Sequence, residues 1–236
     1  VLPYQLAIGQ TYSFLADVLR GRMQVLEVGC GRGDVARRLG AVGIRVTAID
    51  LRIPDPTPSQ NVTFLEHDVL AFDGGPFDAV VFTSSLHHIA PLDAVIDRAY
   101  RLVVPGGLIV ADDFDLDAPN AQTLRWYYDV QELLAAAELF PRDRVDPPST
   151  GLYQRWRGAH VHERIHTGVQ MRRAIARRFD LLDVHGAAYL YRYITRYLPN
   201  DARGTAIAQH IYNTERHGIA GGTLAAVGLG IVGGRA

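Results

Sequence analysis

The feature that most constrains this chain is the run Val25-Leu26-Glu27-Val28-Gly29-Cys30-Gly31-Arg32-Gly33, followed by Ile44-Arg45-Val46-Thr47-Ala48-Ile49-Asp50. It reads as a buried strand, a glycine-rich turn, a helix, and a second strand ending on a carboxylate. Glycines let the backbone turn sharply and approach a ligand closely. In an open parallel sheet such a turn builds a nucleoside crevice at the carboxyl ends of the strands. Asp50 is then placed to accept hydrogen bonds from ribose hydroxyls.

Apolar patterning extends this unit. Strands are expected at 25–28, 44–49, 61–65, 77–82, 108–111, 179–184 and 222–232. Helices are expected at 5–20, 34–42, 92–103, 120–140, 169–178 and 202–217, with Pro105-Gly106-Gly107 stopping the third of them. The alternation over Val25 to Phe114 implies an α/β doubly wound parallel sheet. After Phe114 it stops. Residues 141–166 hold prolines, arginines, aromatics and three histidines with little periodicity, and a loop of that length is uncommon without a role.

The glycine spacing separates two nucleoside classes. The dinucleotide fingerprint G-x-G-x-x-G needs a third glycine where Asp34 stands, and a carboxylate at that helix start would repel a pyrophosphate. The glycines instead follow E-x-G-x-G-x-G, from Glu27 through Gly29 and Gly31 to Gly33. This resembles motif I of class I S-adenosylmethionine (AdoMet) methyltransferases, and the Pro-Gly-Gly before a strand resembles them too. The resemblance implies a Rossmann-like seven-stranded sheet, the last strand antiparallel, across one domain spanning 1–236. The 115–170 region, where the alternation has stopped, is read from its length and irregularity as a helical insert that caps the site and forms part of the acceptor pocket. The cofactor-binding residues the resemblance implies are Glu27, Gly29, Cys30, Gly31, Gly33, Asp50, Leu51, Asp68, Val69, Thr83 and Ser84. Asp68 would accept from the adenine amine.

The segment from Trp126 through Met171 to Tyr193 is similar to a group of largely actinobacterial small-molecule methyltransferases, sugar O-methyltransferases among them. A saccharide hydroxyl is therefore the expected acceptor; N- or C-methylation of a metabolite, or a non-catalytic AdoMet-binding module, are the alternatives. A hydroxyl is a poor nucleophile and gains from a base, for which histidine is suited by its unperturbed pKa of about 6.5. His87 and His88 leave the fourth strand on the ligand side. His160, His162 and His166 lie in the insert. Asp112 and Asp113 follow the fifth strand. The expected catalytic residues are His88, His166 and Asp113. His162-Glu163-Arg164-Ile165-His166 matches the metal-binding letters H-E-x-x-H, which need a helix over Val161–Thr167. No third ligand is signposted, and a divalent metal is possible chemistry without being predicted.

Bulk properties narrow the partners. A net charge of −1 argues against a polyanion surface, so no nucleic acid is expected. No run of about 18 apolar residues appears, so no membrane span is expected, and no charged-then-apolar leader opens the chain. One cysteine precludes an intrachain disulfide and is compatible with a cytoplasmic setting. All 24 basic residues are arginine, the composition expected of a GC-rich genome such as an actinobacterial one. Oligomeric state is not legible.

Overall fold

A computed structural model describes residues 2–145, 151–160 and 165–236. In chain order the elements are α1 (Pro3–Val18), β1 (Gln24–Val28), α2 (Asp34–Ala41), β2 (Arg45–Asp50), β3 (Val62–Glu66), β4 (Phe77–Thr83), α3 (Leu92–Leu102) and β5 (Val103–Phe114). Then come α4 (Ala121–Ala136), a short 3-10 turn (Arg142–Arg144), α5 (Leu152–Gly158), α6 (Gly168–Ala176), β6 (Asp180–Ala187), α7 (Tyr191–Thr195), α8 (Ala202–Ala220) and β7 (Gly228–Gly234).

The strands form one seven-stranded sheet in the order β3-β2-β1-β4-β5-β7-β6. β1 pairs in parallel with β2 and β4, β2 with β3, and β4 with β5. Next to β5 the direction reverses. Gly106 donates to Arg235 while Asp115 donates to Val227, a pairing that runs antiparallel. The sheet is thus mixed, as the resemblance implies.

Central strands are apolar on both faces because helices cover both. On one face Leu26, Val28, Val80, Phe82 and Ile109 pack with Val95, Ile96 and Ala99 of α3 and Met171 and Ile175 of α6. On the other, Val25, Val46, Ala48, Val81 and Val110 pack with Leu15 and Leu19 near the end of α1 and Val35, Ala36 and Leu39 of α2. The apolar positions of α2 and α3 recur every three or four residues, which puts them on one stripe.

The chain divides into two compact units. One holds Ile8–Phe114, His166–His185 and Leu229–Ala236, and with them the sheet core. The other holds Val1–Ala7, Asp115–Ile165 and Gly186–Gly228. In the second unit, Glu215 of α8 is fully buried and its carboxylate accepts the amides of Tyr189 (2.7 Å), Leu190 (2.9 Å) and Tyr191 (2.8 Å) at the start of α7. Burial raises the Glu215 pKa, opposed by these three amides.

Several boundaries differ from the sequence expectation. Pro105-Gly106-Gly107 lies inside β5, which starts at Val103 because α3 ends directly in an extended residue there (φ −84°, ψ 138°). Asp112 and Asp113 are therefore strand residues, not residues beyond it. The helix expected over 120–140 ends at Ala136, after which Glu138 takes a left-handed conformation (φ 59°). The strand expected from Gly222 begins at Gly228, since α8 runs on to Ala220 and the amides of Thr223 and Leu224 fold back onto the Gly218 carbonyl. His162 and Glu163 lie outside the described residues. Ile165 to Thr167 are not helical, and α6 starts only after a capping box of Thr167 and Gln170.

Candidate functional site

The glycine turn joins β1 to α2 as the sequence suggests. Gly29, Gly31 and Gly33 all have positive φ. A Cβ on Gly33 would sit 2.3 Å from Cε1 of Phe64, so this glycine is required by packing between the helix start and β3. A Cβ on Gly31 would meet nothing within 4 Å. That position needs glycine for its backbone conformation (φ 53°) and leaves open space above the turn.

Asp50, the last residue of β2, accepts the Gly31 amide at 2.8 Å and the Arg52 amide at 3.3 Å. A carboxylate offers about four lone-pair directions, so Asp50 holds the turn in shape and keeps acceptor capacity for a ligand. Next to it lies a cavity of about 520 Å³. Of the sequence-predicted residues, Gly29, Asp50, Leu51, Asp68, Val69, Ser84 and His88 line it. Its size lies within the roughly 300–1,000 Å³ usual for small-molecule sites. Asp68 accepts the Leu70 amide through Oδ1. His67, which sequence reasoning did not select, also lines the cavity, and its Nδ1 donates to the Asp68 carbonyl at 2.9 Å. Ser84 has φ 52°, a sparsely populated conformation for a residue with a side chain. Its amide is tied to the Asp112 carbonyl at 2.7 Å.

Glu27, Cys30, Gly31, Gly33 and Thr83 are not among the lining residues. Glu27 is buried to 1% exposure; Thr83 Oγ1 donates to its Oε1 at 2.7 Å, while Oε2 has no hydrogen-bond partner among the described residues. Burial raises its pKa to about 7 against the opposing pull of Thr83 and of the Ala36 amide in α2, with repulsion from Asp34 and Asp50 adding to the rise. Burial first, then Glu27 and Asp50, push the Cys30 thiol up to about 12. The thiol therefore stays protonated and acts as a small packing group.

Beyond β4 the histidines assemble with β5. His87 is buried; its Nδ1 donates to Asp113 Oδ1 at 2.6 Å, and its amide donates to Asp113 Oδ2 at 3.2 Å. Asp113 also accepts the Phe114 amide at 2.9 Å. With Nδ1 donating, the neutral His87 ring carries its lone pair on Nε2. His88 lies against His87 with ring centroids 3.8 Å apart. The His166 amide donates to the His87 carbonyl at 2.8 Å, and its Nε2 donates to the Ile89 carbonyl at 3.1 Å, which leaves Nδ1 as the acceptor nitrogen. The structure thus brings His88, His166 and Asp113 into one neighbourhood through His87, a link no local sequence pattern announces. Asp112, the neighbouring carboxylate, accepts from Thr11 Oγ1 at 2.5 Å. No group of three or more metal-ligating side chains occurs among the described residues.

Over 113 residues the chain is 34% identical to an uncharacterized methyltransferase of Mycobacterium bovis, a match covering 44% of this chain and 57% of that one. It is 28% identical over 154 residues to the ubiquinone biosynthesis O-methyltransferase of Xylella fastidiosa, covering 59% of this chain and 62% of that one. The chain thus spans less than two thirds of either relative. Among solved structures it is similar in fold to the 1,6-didemethyltoxoflavin-N1-methyltransferase of Burkholderia thailandensis, solved with 1,6-didemethyltoxoflavin and S-adenosylhomocysteine. That likeness has a TM-score of 0.55 at 19% identity and covers 97% of this chain and 78% of the other. The profile described as "Methyltransferase domain" matches residues 3–180, taking in the glycine turn, Asp50, Asp68 and the histidine pair. On that span and on its fold, the chain belongs to the class I methyltransferase-domain family.

Proposed function

We propose that this chain binds AdoMet and transfers its methyl group to an oxygen of a small-molecule acceptor, a saccharide hydroxyl being preferred. The observation carrying the reading is the cavity at the ends of β1, β2 and β4, with Asp50 and Asp68 on its wall and bare backbone at Gly29. These residues fit AdoMet. Asp50 retains acceptor capacity for the ribose hydroxyls, Asp68 has an oxygen for the adenine amine, and both put carboxylates on the cavity wall. Oxygen as the target draws support from the O-methyltransferase relative.

Bound AdoMet supplies a methyl carbon already activated by its cationic sulfur. Asp50 and Asp68 would hold that group, and passage of its methyl to the acceptor oxygen would release S-adenosylhomocysteine and the hydroxyl proton. The protein's part is alignment, exclusion of water and removal of the hydroxyl proton. His88, on the cavity wall, takes that proton in this reading, with His166 as the alternate base through Nδ1. Asp113 is a positioning residue, acting through His87 on the ring beside it. Acceptor recognition is assigned to the 115–170 segment.

The test is transfer from tritiated AdoMet to a panel of saccharides, with product mass and fragmentation locating the methyl group. Incorporation at a sugar oxygen is the expected result; exclusive N- or C-methylated products would replace the acceptor assignment. Absence of AdoMet binding would remove the function altogether. His88→Gln should lower kcat by about 10²-fold or more.

A further inference from the structure

β6 ends the sheet on the side of β7, so one of its two edges has no neighbouring strand. It is eight residues long, from Asp180 to Ala187. Leu181, Leu182 and Val184 are all exposed, Leu182 to 62%. Successive residues of a strand point to opposite faces, so aliphatic side chains stand in solvent on both faces of β6. No backbone group of Leu181–His185 is hydrogen-bonded outside the sheet among the described residues. An open edge is a row of free amides and carbonyls, a template for one more strand, and proteins usually guard it with proline, lysine, a short strand or a covering segment. The opposite edge follows that rule: β3 has five residues, and its first amide, Val62, is taken by the Ser59 carbonyl at 3.1 Å. β6 has no proline, lysine or arginine and no such tether; its ionisable residues are Asp180, Asp183 and His185.

Those residues select what the edge takes. Asp183 and His185 share one face, and His185 Nδ1 donates to Asp183 Oδ2 at 2.7 Å. We propose that a second copy of this chain adds its β6 antiparallel to this one, about a two-fold axis at Val184. In that register Val184 faces the partner's Val184, Asp183 faces the partner's His185, and His185 faces the partner's Asp183. Each carboxylate then has an imidazole across the strands as well as along its own, and opposite-charge pairs across strands are stabilising. An axis at Asp183 would set the two Asp183 carboxylates directly opposite each other, which is destabilising. An axis at Leu182 or at His185 pairs no carboxylate with an imidazole. An extended peptide of another kind has no such reciprocity, whereas a two-fold pairing uses one patch twice and closes. Main-chain bonds along the edge give the affinity, and the aliphatic side chains on both faces lose contact with water as the strands meet. The dimer stands or falls separately from methyl transfer.

Sedimentation velocity of the whole chain tests for the dimer, and introduced cysteines test its register. A concentration-dependent dimer is expected. Val184→Cys treated with the thiol oxidant diamide should link two chains, because opposed residues of an antiparallel pair have Cα atoms about 4.5–5.5 Å apart and a disulfide spans about 4.4–6.8 Å. Leu182→Cys should not link, because the same residue of the partner is displaced by four residues, about 13 Å along the strands. The wild type is the blank, since its one cysteine, Cys30, is buried. Asp183→Arg, at an exposed position, should raise the dissociation constant of the dimer at least tenfold with far-UV circular dichroism unchanged. A monomer at every concentration, linking at position 182 as readily as at 184, or a dimer indifferent to Asp183→Arg would overturn the inference.

Discussion

Glu27 shows how one side chain couples the motif to stability. Its carboxyl is buried with one oxygen unpartnered, and burial raises its pKa to about 7. A carboxyl whose pKa is higher folded than unfolded favours the native state fully below the unfolded value. That contribution declines as pH rises and is lost as pH passes the folded pKa. The window here runs from about 4.5 to about 7, and the change across it is on the order of 3 kcal/mol. Glu27→Gln removes the titration while keeping the oxygen that accepts from Thr83. The difference in unfolding free energy between wild type and Glu27→Gln should therefore shift in favour of the variant between pH 5 and pH 8, measured by urea denaturation. Parallel pH curves for the two proteins would refute this account. At the same scale, Asp50 explains why the turn and the carboxylate occur together: it accepts the amide of Gly31 as well as facing the cavity.

Among the elements, α7 depends most clearly on a distant residue. Five residues long, it is too short to hold itself together, since isolated helices shorter than about 12 residues are marginal. Glu215, from α8, accepts three consecutive amides at its start. Glu215→Ala would leave three buried donors without partners at about 1–3 kcal/mol each. A loss of 3 kcal/mol or more is expected in chemical denaturation, while Glu215→Gln, which retains one acceptor oxygen, should lose less. A loss below 1 kcal/mol for the alanine variant would mean that water replaces the carboxylate.

This dependence also explains which parts of the structure are legible in sequence. β1, α2, β2 and β4 carry their own signals: continuous apolar runs, a one-sided helical stripe and turn glycines whose φ only glycine adopts readily. The ends of α8 and β7 do not, because several glycines there permit helix, turn and strand alike. α5 and α7 owe their existence to partners far along the chain, and no local period marks them. The site divides in the same way. Gly29 and Asp50 are legible by their spacing around the turn, and Asp68 by its place after the third strand. The His87–Asp113 hydrogen bond joins residues 26 positions apart, one in the turn after β4 and one in β5, and no motif marks it.

For the whole molecule, the consequential step is that the sheet is completed from three separate stretches of sequence. β1 to β5 come from the first 114 residues, whereas β6 and β7 come after the long excursion of 115–165. β7 then lies between β5 and β6, so the last strand in the chain occupies an interior position. Ile231 and Val232, adjacent in β7, enter opposite faces, Ile231 in the core with α3 and α6 and Val232 in the core with α1 and α2. One strand therefore ties both layers of helices to the sheet. Non-local pairing of this kind has a loop-closure cost that is offset only when the last strand docks. Ile231→Ala, at a fully buried position, should cost about 2–5 kcal/mol. Because the strand belongs to the same cooperative core as β1 and β4, near-UV circular dichroism and AdoMet binding should then melt at one lowered midpoint. If AdoMet binding survives after the near-UV signal is lost, the nucleoside-binding half holds its fold apart from the rest, and the sheet is two cooperative parts instead of one.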